Sequence, residues 1–259
     1  MKIEFYKYHG AGNDFILIDD RTNNHQVLDS DKISFLCHRR FGIGADGLMF
    51  LKSIAGYHFN MEYYNSDGRI GTMCGNGGRC ITAFARDLGI LDQKASFMAS
   101  DGLHESFIDS SGLISLKMKD VDNIIIEDDY YFLDTGSPHY VTFVEDINKT
   151  NVYQEGKRIR NSDVFKPAGT NVNFVSLKND NLFIRTYERG VEDETYACGT
   201  GSVASAIAFA LKFKINQKKV QLNTLGGVLE VSFERENLKF SDIYLKGPAK
   251  FVFKGIIEI

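Results

Sequence analysis

The stretch Met73-Cys74-Gly75-Asn76-Gly77-Gly78-Arg79-Cys80 recurs in altered form 124 positions later as Ala197-Cys198-Gly199-Thr200-Gly201-Ser202, and no other feature restricts the fold as much. Each copy follows a strand-like run, His58 to Tyr64 and Leu182 to Tyr187, and each then opens a helix. In the first helix Ile81, Phe84, Ala85 and Leu88 fall at the spacing of one buried face, and Gly89 supplies a stop. The second, Ser202 to Phe213, is apolar nearly all round, as in a helix enclosed by other elements. In a chain of 259 residues, such a duplication favours two domains of about 125 residues each. The acidic stretch Asp120-Val121-Asp122-Asn123 marks the boundary, giving an N-terminal domain of residues 1–119 and a C-terminal domain of residues 120–248. The tail 249–259 is a strand with no partner left in its own half, so it is expected to return to the first domain's sheet.

A cysteine placed just before a helix has a definite chemistry. The first turn has unpaired N–H groups and a partial positive charge, both of which stabilise anions. A thiolate at Cys74 or Cys198 is therefore favoured, with a pKa below the usual value of roughly 8.5. The glycine-rich backbone lets a bound group come close, so Gly75, Asn76, Gly199 and Thr200 are candidates to hold a carboxylate. Two such cysteines imply two opposed acid/base groups.

Composition excludes several classes. Charged residues at 25% and hydrophobic residues at 43% describe an ordinary globular protein, and a net charge of −4 without a Lys/Arg run argues against nucleic acid. No stretch approaches the length of a transmembrane helix, and the start Met1-Lys2-Ile3-Glu4-Phe5-Tyr6-Lys7 lacks the apolar core of a signal peptide, so a cytoplasmic location is expected. Cys37, Cys74, Cys80 and Cys198 are then reduced thiols rather than disulfides. The histidines His9, His25, His38, His58, His104 and His139 show no ligand spacing, so no metal is expected.

Along the chain, residues 3–9 and 15–19 read as strands joined by Gly10-Ala11-Gly12-Asn13-Asp14, a turn in which Asn13 alone would be a simple turn cap. A helix follows from Asp31 to Arg40, then a glycine-rich turn and the strand Leu48 to Lys52. Asn65-Ser66-Asp67-Gly68-Arg69 is a turn leading towards Cys74. Segments 95–100, 103–109 and 113–118 read as antiparallel strands. In the second half, Tyr130–Leu133 and Tyr140–Val144 flank Asp134-Thr135-Gly136-Ser137-Pro138-His139, and Gly169-Thr170-Asn171-Val172 echoes Gly12-Asn13-Asp14-Phe15. Glu188-Arg189 ends a strand ten residues before Cys198, as Asn65 does nine residues before Cys74. An acid beside a base there suits an ammonium and a carboxylate.

Cys37 and Cys80 read as small core residues. Gly199-x-Gly201-x-x-Ala204 resembles a dinucleotide fingerprint, but no acidic residue lies near position 220 to hold a ribose. Taken together, Gly10-Ala11-Gly12-Asn13-Asp14-Phe15, Asn65-Ser66-Asp67-Gly68, Cys74-Gly75-Asn76-Gly77, Gly136-Ser137-Pro138-His139, Glu188-Arg189-Gly190 and Cys198-Gly199-Thr200-Gly201 resemble diaminopimelate epimerase over nearly the whole chain. Proline racemases share the paired cysteines but not the Asn-Asp-Phe and Glu-Arg-Gly segments; the phenazine-biosynthesis relatives do not keep both cysteines.

The resemblance implies an α/β (α+β) fold of two pseudo-symmetric domains, each a curved mixed sheet around a central helix, with the active site between them. It implies epimerisation of LL- to meso-diaminopimelate without a cofactor, towards lysine and peptidoglycan, by a homodimer acting on a small amino acid. Cys74 and Cys198 would be the acid/base pair, and Gly75, Asn76, Gly199 and Thr200 would bind the carboxylate at the reacting carbon. Asn13, Asn65, Asn171, Glu188 and Arg189 would bind the distal end, with His139 and Glu188 tuning the thiols. Two departures stand out: Ser137 where the family often has Asn, and the segment Gly190 to Thr195, one residue longer than in many members. A silent amino-acid-binding protein would lack a cysteine, and a thiol redox protein would need Cys80 as a resolving thiol.

Overall fold

The computed structural model describes residues 2–24 and 28–259; Met1 and His25 lie outside them. In chain order the elements are β1 (Lys2–Gly10), β2 (Asn13–Asp19), α1 (Ser30–Cys37), β3 (Gly47–Lys52), β4 (Phe59–Asn65), α2 (Gly75–Asp87), β5 (Lys94–Ala99), β6 (Gly102–Ile108) and β7 (Ile114–Lys117). There follow β8 (Ile124–Ile126), β9 (Tyr131–Asp134), β10 (Pro138–Phe143), α3 (Val152–Arg160), β11 (Asn171–Lys178), β12 (Asn181–Glu188), β13 (Asp193–Thr195), α4 (Gly199–Lys212), β14 (Lys219–Thr224), β15 (Gly227–Glu236), β16 (Lys239–Gly247) and β17 (Lys250–Glu258). The chain divides into two compact units, Met1–Leu116 with Pro248–Ile259, and Lys117–Gly247.

Within the first unit the strands pair in the order β17-β1-β2-β3-β4-β5-β6-β7, antiparallel except at β2–β3 and β4–β5. Within the second they pair β8-β9-β10-β11-β12-β14-β15-β16, antiparallel except at β10–β11 and β12–β14. The two patterns are the same. Parallel neighbours need a crossover connection, and the four crossovers contain α1, α2, α3 and α4 respectively. The mixed α/β architecture that the resemblance implied is therefore present twice.

Register fixes which residues correspond. Phe15 lies opposite Gly47 and Gly47 opposite Asn65 in the first unit; His139 lies opposite Asn171, and Val172 opposite Tyr187, in the second. Asn13 thus corresponds to Ser137, Phe15 to His139, Gly47 to Asn171 and Met49 to Asn173, all at the spacing that separates Cys74 from Cys198. This corrects the sequence echo between Gly12-Asn13-Asp14 and Gly169-Thr170-Asn171. Both segments open strands after turn-forming residues, but the second belongs to the next strand of the repeat.

Three element expectations change. Helix α1 stops at Cys37 rather than Arg40, because His38 turns extended and the Leu36 carbonyl is taken by the Ile43 and Gly44 N–H groups. The segment after Arg189 is not a plain loop: Glu192 adopts a left-handed φ of 60° and lets β13 fold back on β12, with Thr195 opposite Thr186. Helix α2 is not one-sided, for Gly75 to Ala85 are all buried, enclosed by packing on β1, β2, β3 and β17. Ile16, Ile18, Leu48 and Phe50 pack on Ile33 and Leu36 of α1, while Val172, Phe174 and Tyr187 pack on Val152 and Ile159 of α3. Among the described residues no helix is long and apolar enough to cross a membrane.

Candidate active site

In the first unit Cys74 is the N-cap of α2, extended at φ −104° and ψ 134°. Its Sγ donates to Asn13 Oδ1 at 3.7 Å, and the same oxygen accepts from Asn76 Nδ2 at 3.2 Å. The orientation of these amides follows from their far ends. Asn13 Nδ2 donates to Asp46 Oδ2 at 2.6 Å, and a carboxylate only accepts, so the Asn13 oxygen must face Cys74. Arg79 Nη2 donates to Asn76 Oδ1 at 2.7 Å, and a guanidinium only donates, so the Asn76 nitrogen must face Asn13.

Asp46 is held in turn by Arg39 at 2.6 Å, and Asp14 by Lys7 and by Arg39, each at 2.7 Å. Burial pushes the Asp14 carboxyl up, but the hydrogen bonds and charges of Arg39 and Lys7 outweigh it and leave it lowered to about 2. Asn65 stands exposed at the end of β4, where its N–H donates to the Arg69 carbonyl at 2.9 Å.

In the second unit Cys198 is the N-cap of α4, at φ −110° and ψ 115°, and only 7% exposed. Its Sγ lies 3.5 Å from Thr200 Oγ1. Thr200 Oγ1 and Ser137 Oγ lie 2.9 and 3.0 Å from His139 Nε2. On the other side of the ring, Asn173 Nδ2 is 3.0 Å from both the Tyr140 carbonyl and His139 Nδ1. A carbonyl only accepts, so that atom is the amide nitrogen and His139 Nδ1 must accept its second proton. The imidazole is then the Nε2–H tautomer and donates towards the Thr200 and Ser137 hydroxyl oxygens. Burial, the largest influence, holds the His139 pKa down to about 3, so the ring is neutral.

A Cβ on Gly201 would lie 2.3 Å from Asn173 Oδ1 and 3.3 Å from Cys198 Sγ, so only glycine fits this turn of α4. Asn171 Nδ2 donates to Ser137 Oγ at 3.1 Å and to the Pro138 carbonyl at 2.9 Å, while its Oδ1 accepts the Arg189 N–H at 2.9 Å. Arg189 Nη1 donates to the Ala168 carbonyl at 3.2 Å, and Glu188 Oε2 accepts from Thr195 Oγ1 at 2.8 Å.

Asn13, Cys74 and Asn76 are therefore one hydrogen-bonded group, with Gly75 buried beside them, and Cys198, Thr200, Ser137 and His139 are another, with Gly199 at the start of α4. Asn171 and Arg189 join through the backbone of Arg189. Sequence reasoning missed Asp46, Arg79 and Asn173. The constant spacing of the repeat would have singled out Asn173, which stands where the first copy has Met49. Chemically, each unit presents a thiol at a helix N-terminus, where a negative charge is stabilised. Cys37, pushed up to about 12 by burial, and Cys80, raised above its usual range by burial, are not such thiols. A resolving role for Cys80 inside α2 has no support.

Known proteins with the same sequence pattern place the chain. The family model for diaminopimelate epimerase matches residues 5–123 and 131–252, spanning both units. The diaminopimelate epimerase of Flavobacterium psychrophilum is 51% identical over 256 residues, covering 98% of this chain and 100% of the relative. That of Chlorobaculum tepidum is 40% identical, covering 96% and 99%. Among solved structures, a phenazine biosynthesis protein of the PhzF family from Bacillus anthracis superposes over 100% of both chains with a TM-score of 0.79 at 14% identity, a likeness of fold alone. With matches that run through both copies of the repeat, the chain belongs to the diaminopimelate epimerase family of enzymes.

Proposed function

We propose that the chain interconverts LL- and meso-diaminopimelate without a cofactor, using Cys74 and Cys198 as a thiolate base and a thiol acid on opposite faces of the reacting carbon. The observation that carries this reading is the presence of the same residue type as N-cap of equivalent helices in two units of one topology. A Cα proton is far less acidic than any thiol, so its removal needs a thiolate in contact and a site that stabilises the developing carbanion. The first-turn groups of Gly75, Asn76, Gly199 and Thr200 supply that stabilisation through the substrate carboxylate. No electron sink is involved, so the carbanion is short-lived and is protonated at once by the opposite thiol.

Asn13, Asn65, Asn171, Glu188 and Arg189 recognise the distal ammonium and carboxylate. His139, neutral and donating to Thr200, leaves the Thr200 hydroxyl proton free to favour the Cys198 thiolate. The enzyme works as a cytoplasmic homodimer of two-domain chains and provides meso-diaminopimelate for lysine and peptidoglycan precursors. Incubation with LL-diaminopimelate in deuterated water, with no added cofactor, tests the reading by chiral and mass analysis. Product deuterated at the inverted centre, with remaining substrate nearly unlabelled, is expected, as is loss of epimerisation in Cys74→Ala and in Cys198→Ala. Equal early labelling of substrate and product would point to a single base and sink the paired-thiol mechanism.

A further inference from the structure

Arg79, in the second turn of α2, is 0% exposed. Its guanidinium donates to the Gly75 carbonyl at 3.1 Å, to Asn76 Oδ1 at 2.7 Å and to the Pro248 carbonyl at 3.4 Å. All three acceptors are neutral, and among the described residues no carboxylate is paired with it. Burying a cation without a counter-charge is costly. The fold does not require it, because the corresponding residue of α4 is Val203, equally buried. The first unit makes room for it: a Cβ on Gly10, at the end of β1, would lie 3.0 Å from the Asn76 carbonyl oxygen and 3.4 Å from Arg79 Nη2.

Other charges near Cys74 largely neutralise one another. Lys7 and Arg39 pair with Asp14 and Asp46. On β1, Tyr8 donates to Asp87 at the far end of α2, and His9 Nδ1 accepts the Gly12 N–H. Beyond the turn before α2, Asp101 pairs with His104 at 3.1 Å and accepts from the Met73 backbone. On β17, Lys250 is exposed, and on α2 itself Cys80 is a fully buried thiol. Among the described residues the buried cation that remains is Arg79: burial, the largest influence, lowers its pKa, while the neighbouring Cys80 and Cys74 sulfurs oppose that shift.

We infer that Arg79 is a positioning residue for the reaction: it locks the Asn76 amide with its nitrogen towards Asn13 and sets a fixed positive charge behind Cys74 that favours the thiolate. The equivalent position of α4 is the uncharged Val203, so the two thiols of the repeat ionise at different pH. The inference rests on the two-thiol reading above.

Its test is the pH dependence of iodoacetamide labelling, read separately at Cys74 and Cys198 by peptide mass spectrometry, in the wild type, Arg79→Met and Arg79→Gln. Glutamine keeps a donor for Asn76 and removes only the charge, so it also serves if the methionine variant does not fold. The Cys74 profile should move up by about one pH unit or more in either variant, the Cys198 profile should stay in place, and kcat should fall about tenfold or more. A Cys74 profile that does not move in a folded variant, or equal shifts at both cysteines, overturns the inference. Wild-type epimerisation by Cys74→Ala would instead remove the two-thiol reading, whatever the labelling profiles.

Discussion

Asn173→Asp replaces an amide nitrogen by an oxygen and should reverse a hydrogen-bond chain that ends at Cys198. Asn173 is fully buried; its Nδ2 lies 3.0 Å from the Tyr140 carbonyl and from His139 Nδ1, and its Oδ1 accepts from Thr186 Oγ1 at 3.0 Å. In the variant a carboxylate oxygen faces a carbonyl oxygen across that distance. The Tyr140 carbonyl loses its side-chain donor and faces a carboxylate oxygen, and the buried carboxylate is only partly compensated by His139, so the variant should be destabilised by about 2–4 kcal/mol. His139 can relieve its own side by carrying a proton on Nδ1. Nε2 is then free to accept, and the Thr200 hydroxyl turns to it and away from Cys198. Losing one hydrogen bond to a charged sulfur, at about 1.5–3 kcal/mol, lowers kcat roughly ten- to a hundredfold.

Histidine ¹⁵N chemical shifts give the tautomer, and urea unfolding gives the stability. The wild type should show Nε2–H at neutral pH. Because the folded pKa of His139 is depressed from 6.5 to about 3, its contribution to stability is complete above 6.5 and declines as pH falls. The decline is on the order of 3 kcal/mol by pH of about 4. In Asn173→Asp the new carboxylate favours the protonated ring, so this decline should be smaller. A wild-type ring protonated on Nδ1, or a variant as stable and active as the wild type, would refute the chain of reasoning.

Other expectations follow from the same geometry. In the folded protein Cys37 and Cys80, whose thiols are raised by burial, should resist iodoacetamide while Cys74 and Cys198 are labelled; peptide mapping reads the order. Asp14→Asn should lose on the order of 2 kcal/mol at pH near 7, because the Asp14 carboxyl is held at about 2 against a usual 3.8. That advantage of the wild type is present above 3.8 and should vanish in acid unfolding as pH falls through about 2. Gly201→Ala, whose Cβ meets Asn173 Oδ1 at 2.3 Å, should destabilise by about 2 kcal/mol or more, whereas in Gly77→Ala the atom met, at 2.7 Å, is the movable methyl of Met49. Thermal midpoints of the two variants should differ accordingly.

The duplicated cysteine motif, the helices it opens and the strands around them were legible because each depends on short-range spacing. So was the core fate of Cys37 and Cys80. Arg79 was not, since an arginine five residues into a helix normally reaches solvent, and only the enclosure of α2 by β1, β2, β3 and β17 denies it that path. Asn173 reads as an ordinary polar residue of a strand until His139 is brought alongside by parallel pairing, a contact across 34 positions. The false echo at Gly169 arose because turn composition repeats at every strand start, whereas register is set by pairing. Strand β13 escaped notice because it is only three residues long, Asp193–Thr195, and depends on a left-handed Glu192.

The return of β17 to β1, from Lys2 opposite Glu258 to His9 opposite Lys250, has a consequence for the order of assembly. The second unit is continuous in sequence and can complete its sheet as soon as β16 leaves the ribosome. The first unit cannot, because one flank of β1, one wall against α2 and the Pro248 carbonyl that accepts from Arg79 are made only after the whole second unit. The earlier-synthesised half is thus the later to mature, and until residues 248–259 dock, the edge of β1 is an open template for another strand. Synthesis rate over the second unit therefore sets how long that edge stays open, and a truncation before Lys250 would leave it open permanently.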